Sequence, residues 1–197
     1  MKIIGLTGGS GAGKSLVCEA FFSYGVKSID TDKISREVTK KDSECLRELT
    51  EYFTKNILTH DGELDRKKLA EIVFSNGKNL DILNRITHEY ILERCKDVIL
   101  DMQKTGEKSA IIDAPVLFES GFDKHCDIII SVISDRKKRI ERIIKRDNIT
   151  KSQVENRIKN QKSDEFFIEH SDYIIYNNSD YENIKTQVSE IYKNIKY

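Results

Sequence analysis

Gly8 is followed by four residues and then by Gly13-Lys14-Ser15, a spacing of glycine, lysine and hydroxyl that suits one task, the gripping of a phosphate chain. Glycines let the backbone curl so that successive N–H groups meet phosphate oxygens with no Cβ between them. A lysine at position 14 reaches the outer phosphates of a nucleoside triphosphate, and the Ser15 hydroxyl can ligate Mg²⁺. The expected cradle is Gly9, Ser10, Gly11, Ala12, Gly13, Lys14, Ser15 and Leu16.

Carboxylates stand at two further places. Asp30 and Asp32 end the run Ile29-Asp30-Thr31-Asp32, and Asp113 ends Ala110-Ile111-Ile112-Asp113, with Glu119 in the loop beyond. Ligands of open α/β sheets gather outside the carboxyl ends of strands. The Asp30/Asp32 pair therefore suits a substrate hydroxyl, although Asp32 equally suits the N-cap of a helix starting near Lys33. Asp113 occupies the usual place of a Mg²⁺-organising carboxylate. Simple solvation remains open for both Asp113 and Glu119. Arg139, Arg142 and Arg146, at i, i+3 and i+7, put three guanidiniums on one helix face, with Ile140, Ile143 and Ile144 in the opposing sector. Such a stripe is either a solvated face or a set that closes over a transferring phosphoryl group. Arg157 is a further candidate.

These residues need a scaffold that delivers strand ends and helix starts to one edge. Short Ile- and Val-rich runs alternate with amphipathic stretches, which predicts a parallel sheet covered on both faces. The strands are expected at Lys2–Thr7, Val26–Ile29, Ala110–Asp113, Ile128–Ile133 and Tyr173–Tyr176, and helices at Lys14–Ser23, Asp135–Arg146, Lys151–Asn160 and Tyr181–Tyr192. Between the second and third strands, residues 33–106 carry helical patterns and no convincing strand. Leu64, Leu69, Ile72 and Val73, then Leu80, Leu83 and Ile86, are spaced for amphipathic helices. This reads as a helical insertion that either grips a substrate or only packs.

Composition excludes several classes. The 197 residues fit one domain with an insertion. Thirty-three basic residues balance thirty-three acidic ones, so no global field draws the chain to nucleic acid or to an anionic membrane. Cys18, Cys45, Cys95 and Cys126 lack metal-ligand spacing and read as reduced thiols. His60, His88, His125 and His170 show no metal pattern either. The N-terminal apolar run is too short for a signal peptide, and no stretch reaches the ~18–20 apolar residues of a membrane span. The expected location is the cytoplasm.

Across nearly its whole length the chain resembles the dephospho-coenzyme A kinase family. The resemblance runs through Gly5-Leu6-Thr7-Gly8-Gly9, Ile29-Asp30-Thr31-Asp32 with Arg36, Leu64-Asp65-Arg66 with Leu69, Val73-Phe74, and Leu83-Asn84 with His88. It continues in Asp113-Ala114-Pro115-Val116-Leu117-Phe118-Glu119, which is similar to the family's PLLFE segment. Arg142-Ile143-Ile144-Lys145-Arg146-Asp147, Arg157 with Gln161, and Asp172-Tyr173-Ile174-Ile175 with Asn177 complete it.

The resemblance implies a P-loop, nucleoside-monophosphate-kinase-like α/β fold with a five-stranded parallel sheet. Residues 1–32 and 107–197 would form the nucleotide-binding core, 33–106 a helical substrate-binding insertion, and 136–162 a lid. It implies ATP and dephospho-CoA as substrates, Mg²⁺ at Ser15 and Asp113, and phosphoryl transfer to the ribose 3′-hydroxyl. Asp32 would orient or deprotonate that hydroxyl, Thr7 would sit by the reacting groups beside Lys14, and Arg142 and Arg146 would be lid arginines. Asn177 would lie near the adenine, with Arg36, Arg66, His88 and Glu119 on the acceptor side. A monomer is favoured.

Glu89 stands where proline is usual, Leu16 and Val116 replace threonine and leucine, and Thr31 interrupts an acidic triplet. Phe167 stands in place of a lysine, which removes one expected phosphate or lid contact. A different small-molecule kinase on the same fold would use the cradle and arginines equally well, so the acceptor side decides. A GTP-dependent switch is disfavoured: NKxD is absent, and none of the ten glycines has Asp three residues before it.

Overall fold

The computed structural model of the chain describes residues 1–74 and 77–195. In chain order the elements are β1 (Lys2–Thr7), α1 (Lys14–Phe22), β2 (Lys27–Asp30), α2 (Thr31–Val38), α3 (Glu44–Phe53), α4 (Arg66–Phe74) and α5 (Gly77–Lys104). They continue as β3 (Ser109–Asp113), β4 (Ile128–Ile133), α6 (Arg136–Asp147), α7 (Lys151–Lys159), α8 (Asp164–Glu169), β5 (Tyr173–Tyr176) and α9 (Tyr181–Ile195). The five strands form one parallel sheet in the order β2-β3-β1-β4-β5. All five sequence-predicted strands are present, with β2 shifted by one residue and β3 beginning one residue earlier.

Two compact units divide the chain: Met1–Ile29 with Thr105–Tyr197, and Asp30–Lys104. In the first unit, Ile4 and Leu6 of β1 flank Ile111, Ile130, Val132 and Ile175 of the neighbouring strands. This apolar layer meets Val17, Ala20 and Phe21 of α1 and Ile184, Val188 and Ile191 of α9. Each such side chain taken out of water contributes about 1.5–3 kcal/mol. Register sets what comes next at the strand ends: Leu6 lies opposite Asp113 and Thr7 opposite Ser131.

The second unit is helical. Cys45, Leu49 and Phe53 of α3 pack with Ile57, with Leu69 and Val73 of α4, and with Ile86 of α5. Leu64, spaced in the sequence as part of a helix, instead lies ahead of α4 in an isolated antiparallel bridge to Leu58. The backbone needs that bridge because Asp65 N donates to the Ile57 carbonyl (2.8 Å), turning the chain before α4 can begin. The Asp30 carboxylate accepts from Lys33 N at 3.0 Å and caps α2, a contact worth about 1 kcal/mol. Among the described residues no helix is long and apolar enough to cross a membrane.

Candidate active site

The loop between β1 and α1 leaves the sheet through Gly8, at φ 139°, where a Cβ would strike the Val132 carbonyl. It enters α1 through Gly13, at φ 98°, where a Cβ would strike the Asn177 amide. Only glycine satisfies both the backbone angle and the close approach. Gly13 caps α1 with no side-chain hydrogen bond, and the first turn holds no acidic residue. By contrast α3, α7 and α8 start under Ser43, Thr150 and Ser163 hydroxyls that accept from the amides of Leu46, Gln153 and Phe166 in their first turns. Leu16 N already donates to the Gly13 carbonyl at 3.1 Å, but no side chain covers the positive dipole end of α1, which suits an anion.

The loop carbonyls are held on the other side. Arg139 Nε donates to the Ser10 carbonyl (3.0 Å), while its two terminal nitrogens reach Asp164 Oδ1 (3.2 Å) and Gln161 Oε1 (3.3 Å). Gln161 Oε1 also accepts from Ser10 N at 2.9 Å. Arg142 donates to the Gly11 and Ala12 carbonyls (3.2 and 3.4 Å), to Ser134 Oγ and to Asn177. The Asn177 side-chain amide donates to the Ala12 carbonyl at 2.7 Å. Carbonyls 10, 11 and 12 are thus held by α6 and the end of β5, and Ala12 N donates within the loop to the Gly9 carbonyl at 3.0 Å.

Arg139 corrects the reading of a uniform arginine face. It is 5% exposed, level with the fully buried Ile143 four residues on, and it braces the loop instead of facing solvent or ligand. Burial pushes its pKa down and Asp164 pushes it back up. Arg142 is half-buried against the loop. Arg146 is exposed and pairs with Asp147 (2.7 and 3.1 Å), whose carboxylate Arg157 also contacts. Hydrogen bonds from Arg146 and then Arg157 hold the Asp147 carboxyl well below the usual carboxylate range.

At the end of β1, Thr7 is fully buried, and its Oγ1 has no hydrogen-bond partner among the described residues. Asp113, half-buried at the end of β3, has its Oδ2 3.9 Å from Cys18 Sγ. Burial first and the Asp113 charge second push the Cys18 thiol up to about 12. Lys14 is half-buried and Ser15 exposed on the first turn of α1. Among the described residues no group of three or more His, Cys, Asp or Glu is arranged to hold a metal. A hydroxyl and a carboxylate, Ser15 and Asp113, fit a Mg²⁺ that draws its other ligands from phosphates and water.

In the second unit, Asp32 lies exposed in the first turn of α2, and the cap is Asp30. The alternative reading of Asp32 as N-cap is thereby overturned, because α2 starts two residues earlier than the pattern near Lys33 suggested. Arg36 follows one turn later, exposed. Arg66, first residue of α4, donates to Thr39 Oγ1 at 2.7 Å. His88 is half-buried on α5, and desolvation pushes its pKa down.

The loop, Arg142 and Asn177 thus come together as one bonded cluster, and the register sets Thr7 and Asp113 at neighbouring strand ends. Glu119, exposed in the turns after β3, makes no bond to them among the described residues. Phe167 is buried, its ring beside Phe118 and Phe166. Sequence reasoning gave no part in the site to Asp164, Ser134, Cys18 or Asp147. The i, i+4 relation of Arg139 to Ile143 was the available sign that Arg139 turns inward.

A family model described as dephospho-CoA kinase matches residues 2–183. A dephospho-CoA kinase of Fusobacterium nucleatum is 42% identical over 195 residues, covering 99% of each chain. A solved structure of dephospho-CoA kinase from Campylobacter jejuni superposes with a TM-score of 0.72 at 28% identity, covering 99% of this chain and 98% of that one. A Thermus thermophilus structure, TT1252, gives 0.84 at 22% identity over 100% and 98%, a likeness of fold.

Proposed function

The chain belongs to the dephospho-CoA kinase family, and we infer from that membership that it transfers the γ-phosphate of ATP to the ribose 3′-hydroxyl of dephospho-CoA, giving coenzyme A and ADP. The observation that carries the reading at the site is the uncapped start of α1 behind a glycine loop whose carbonyls are tied back. Such a cradle offers amides and Lys14 to a polyphosphate and holds them before the ligand arrives.

In this account Lys14 holds the outer phosphate oxygens, and Asn177 with Arg142 borders the adenine end. Asp32 accepts the 3′-hydroxyl proton as the new O–P bond forms and the bond from the γ-phosphorus to ADP breaks. Thr7 Oγ1, buried and without a hydrogen-bond partner among the described residues, donates to the reacting groups. Arg146 leaves Asp147 to meet the transferring charge. Mg²⁺, held through Ser15 and Asp113, would supply neutralisation of the phosphate oxygens. Residues 33–106 serve as the acceptor-binding insertion, with Arg36, Arg66, His88 and Glu119 on the acceptor side, and residues 136–162 as the lid. The proposed setting is the cytoplasm, whose reducing conditions suit four free thiols.

The test is ADP release from MgATP with dephospho-CoA as acceptor and nucleoside monophosphates, shikimate and gluconate as controls. Turnover with dephospho-CoA alone is expected. Faster turnover with any control would replace the acceptor.

A further inference from the structure

Asp147 is the last residue of α6, where the helix dipole is least favourable to a carboxylate. Two guanidiniums compensate it there. Arg146 donates to it through Nε (2.7 Å to Oδ1) and a terminal nitrogen (3.1 Å to Oδ2), and Arg157 of α7 donates to the same Oδ2. The Asp147 side chain is 23% exposed, that of Arg157 41% and that of Arg146 63%, so Arg146 is the partner with the most open path away. The helix pair that brings these groups together has its own supports. Asn148, at φ 51°, closes α6 by donating its N–H to the Ile144 carbonyl at 3.0 Å. Thr150 and Gln153 open α7 with a capping box, and Ile143 of α6 and Val154 of α7 are fully buried. Exposed ion pairs add only about 0–1 kcal/mol to such a hairpin.

The place of the cluster on α6 gives it a different task. Arg142 donates to the Gly11 and Ala12 carbonyls of the loop. Arg146 lies four residues on, on the same helix face and roughly 6 Å further along the axis. The next cation beyond the loop is therefore the one that Asp147 detains. Two guanidiniums on one carboxylate leave a positive charge over, and Arg146 can depart without stranding Asp147 because Arg157 stays. A triphosphate carries more negative charge than one carboxylate and competes for the guanidinium. We propose that Asp147 is a positioning residue, a latch that detains Arg146 until the triphosphate of ATP draws it away, with Arg157 keeping Asp147 paired afterwards. The latch rests on the lid role given to Arg146 above and adds what holds that arginine back.

The experiment is calorimetric titration of the full chain with MgATP across two double-mutant cycles, with kcat for dephospho-CoA measured alongside. Asp147→Asn is expected to lower the Kd of MgATP about 2–5-fold, the scale of an exposed ion pair that no longer has to break on binding. Damage to the fold would weaken binding instead, and Asp147→Glu should return the Kd towards the wild-type value. Arg157→Gln should raise the Kd about 2–5-fold while Asp147 is present, because Arg146 then leaves behind a bare carboxylate. In the Asp147→Asn background the same change should have no effect. With Arg146→Gln present the gain from Asp147→Asn should vanish, since the latch acts only through Arg146. MgATP affinity unchanged or weakened in Asp147→Asn, or strengthened equally with Arg146→Gln present, would overturn the latch while the kinase reading stood. Wild-type kcat and MgATP affinity in Arg146→Gln alone would instead overturn the lid role beneath it.

Discussion

In the proposed mechanism, Asp32 is the residue on which the chemistry turns. Its neighbour Asp30 already caps α2, so the Asp32 carboxylate is not spent on the Lys33 amide and lies exposed. An acidic residue in a first helical turn also complements the helix dipole, and that lesser role makes a different prediction. If Asp32 is the base, Asn at this position should lower kcat by roughly 10²–10⁴-fold while MgATP binds as before. Rapid-quench kinetics with both substrates saturating measure this directly, and turnover within a few-fold of wild type would return Asp32 to the dipole role. The ambiguity in the sequence was one of phase: two aspartates two residues apart, either able to cap, and only the observed start of α2 assigns them.

At the scale of elements, the cradle works because α6 and the segment after β5 hold the loop from behind. Arg139 supplies the tie to the Ser10 carbonyl across 129 residues of sequence. Arg139→Met keeps most of the apolar volume and removes the donors. The expected result is an MgATP Kd raised roughly tenfold, the loss of one charge-assisted hydrogen bond, with dephospho-CoA affinity unchanged. Calorimetry on the two ligands separately would show it, and equal affinity for MgATP would mean the loop holds its shape unaided. The elements themselves were legible. Ile- and Val-rich runs marked the strands, and the short spacing from Gly8 to Ser15 marked the loop, because both signals are local in sequence. Arg139, Gln161 and Asp164 were hidden in their role because it depends on contacts between distant segments. A charged residue beside Ile143 reads as exposed until those partners are in place. Leu64 misled for the opposite reason, since its helical spacing was overridden by the turn that pairs it with Leu58.

For the whole molecule, the chain divides into two compact units, each with its own apolar centre. The first carries the glycine loop with Lys14 and the second carries Asp32, Arg36 and Arg66, so the proposed donor and acceptor chemistry falls on different units. Family membership joins them in one reaction. The most direct test of that joining follows the phosphorus itself: ATP labelled in the γ-phosphate is incubated with dephospho-CoA and the purified chain, and the position of the label in the product is determined. The account predicts label on the ribose 3′-oxygen of coenzyme A, one phosphate for each ADP formed. Label released as inorganic phosphate, or carried at any other position of the acceptor, would contradict it.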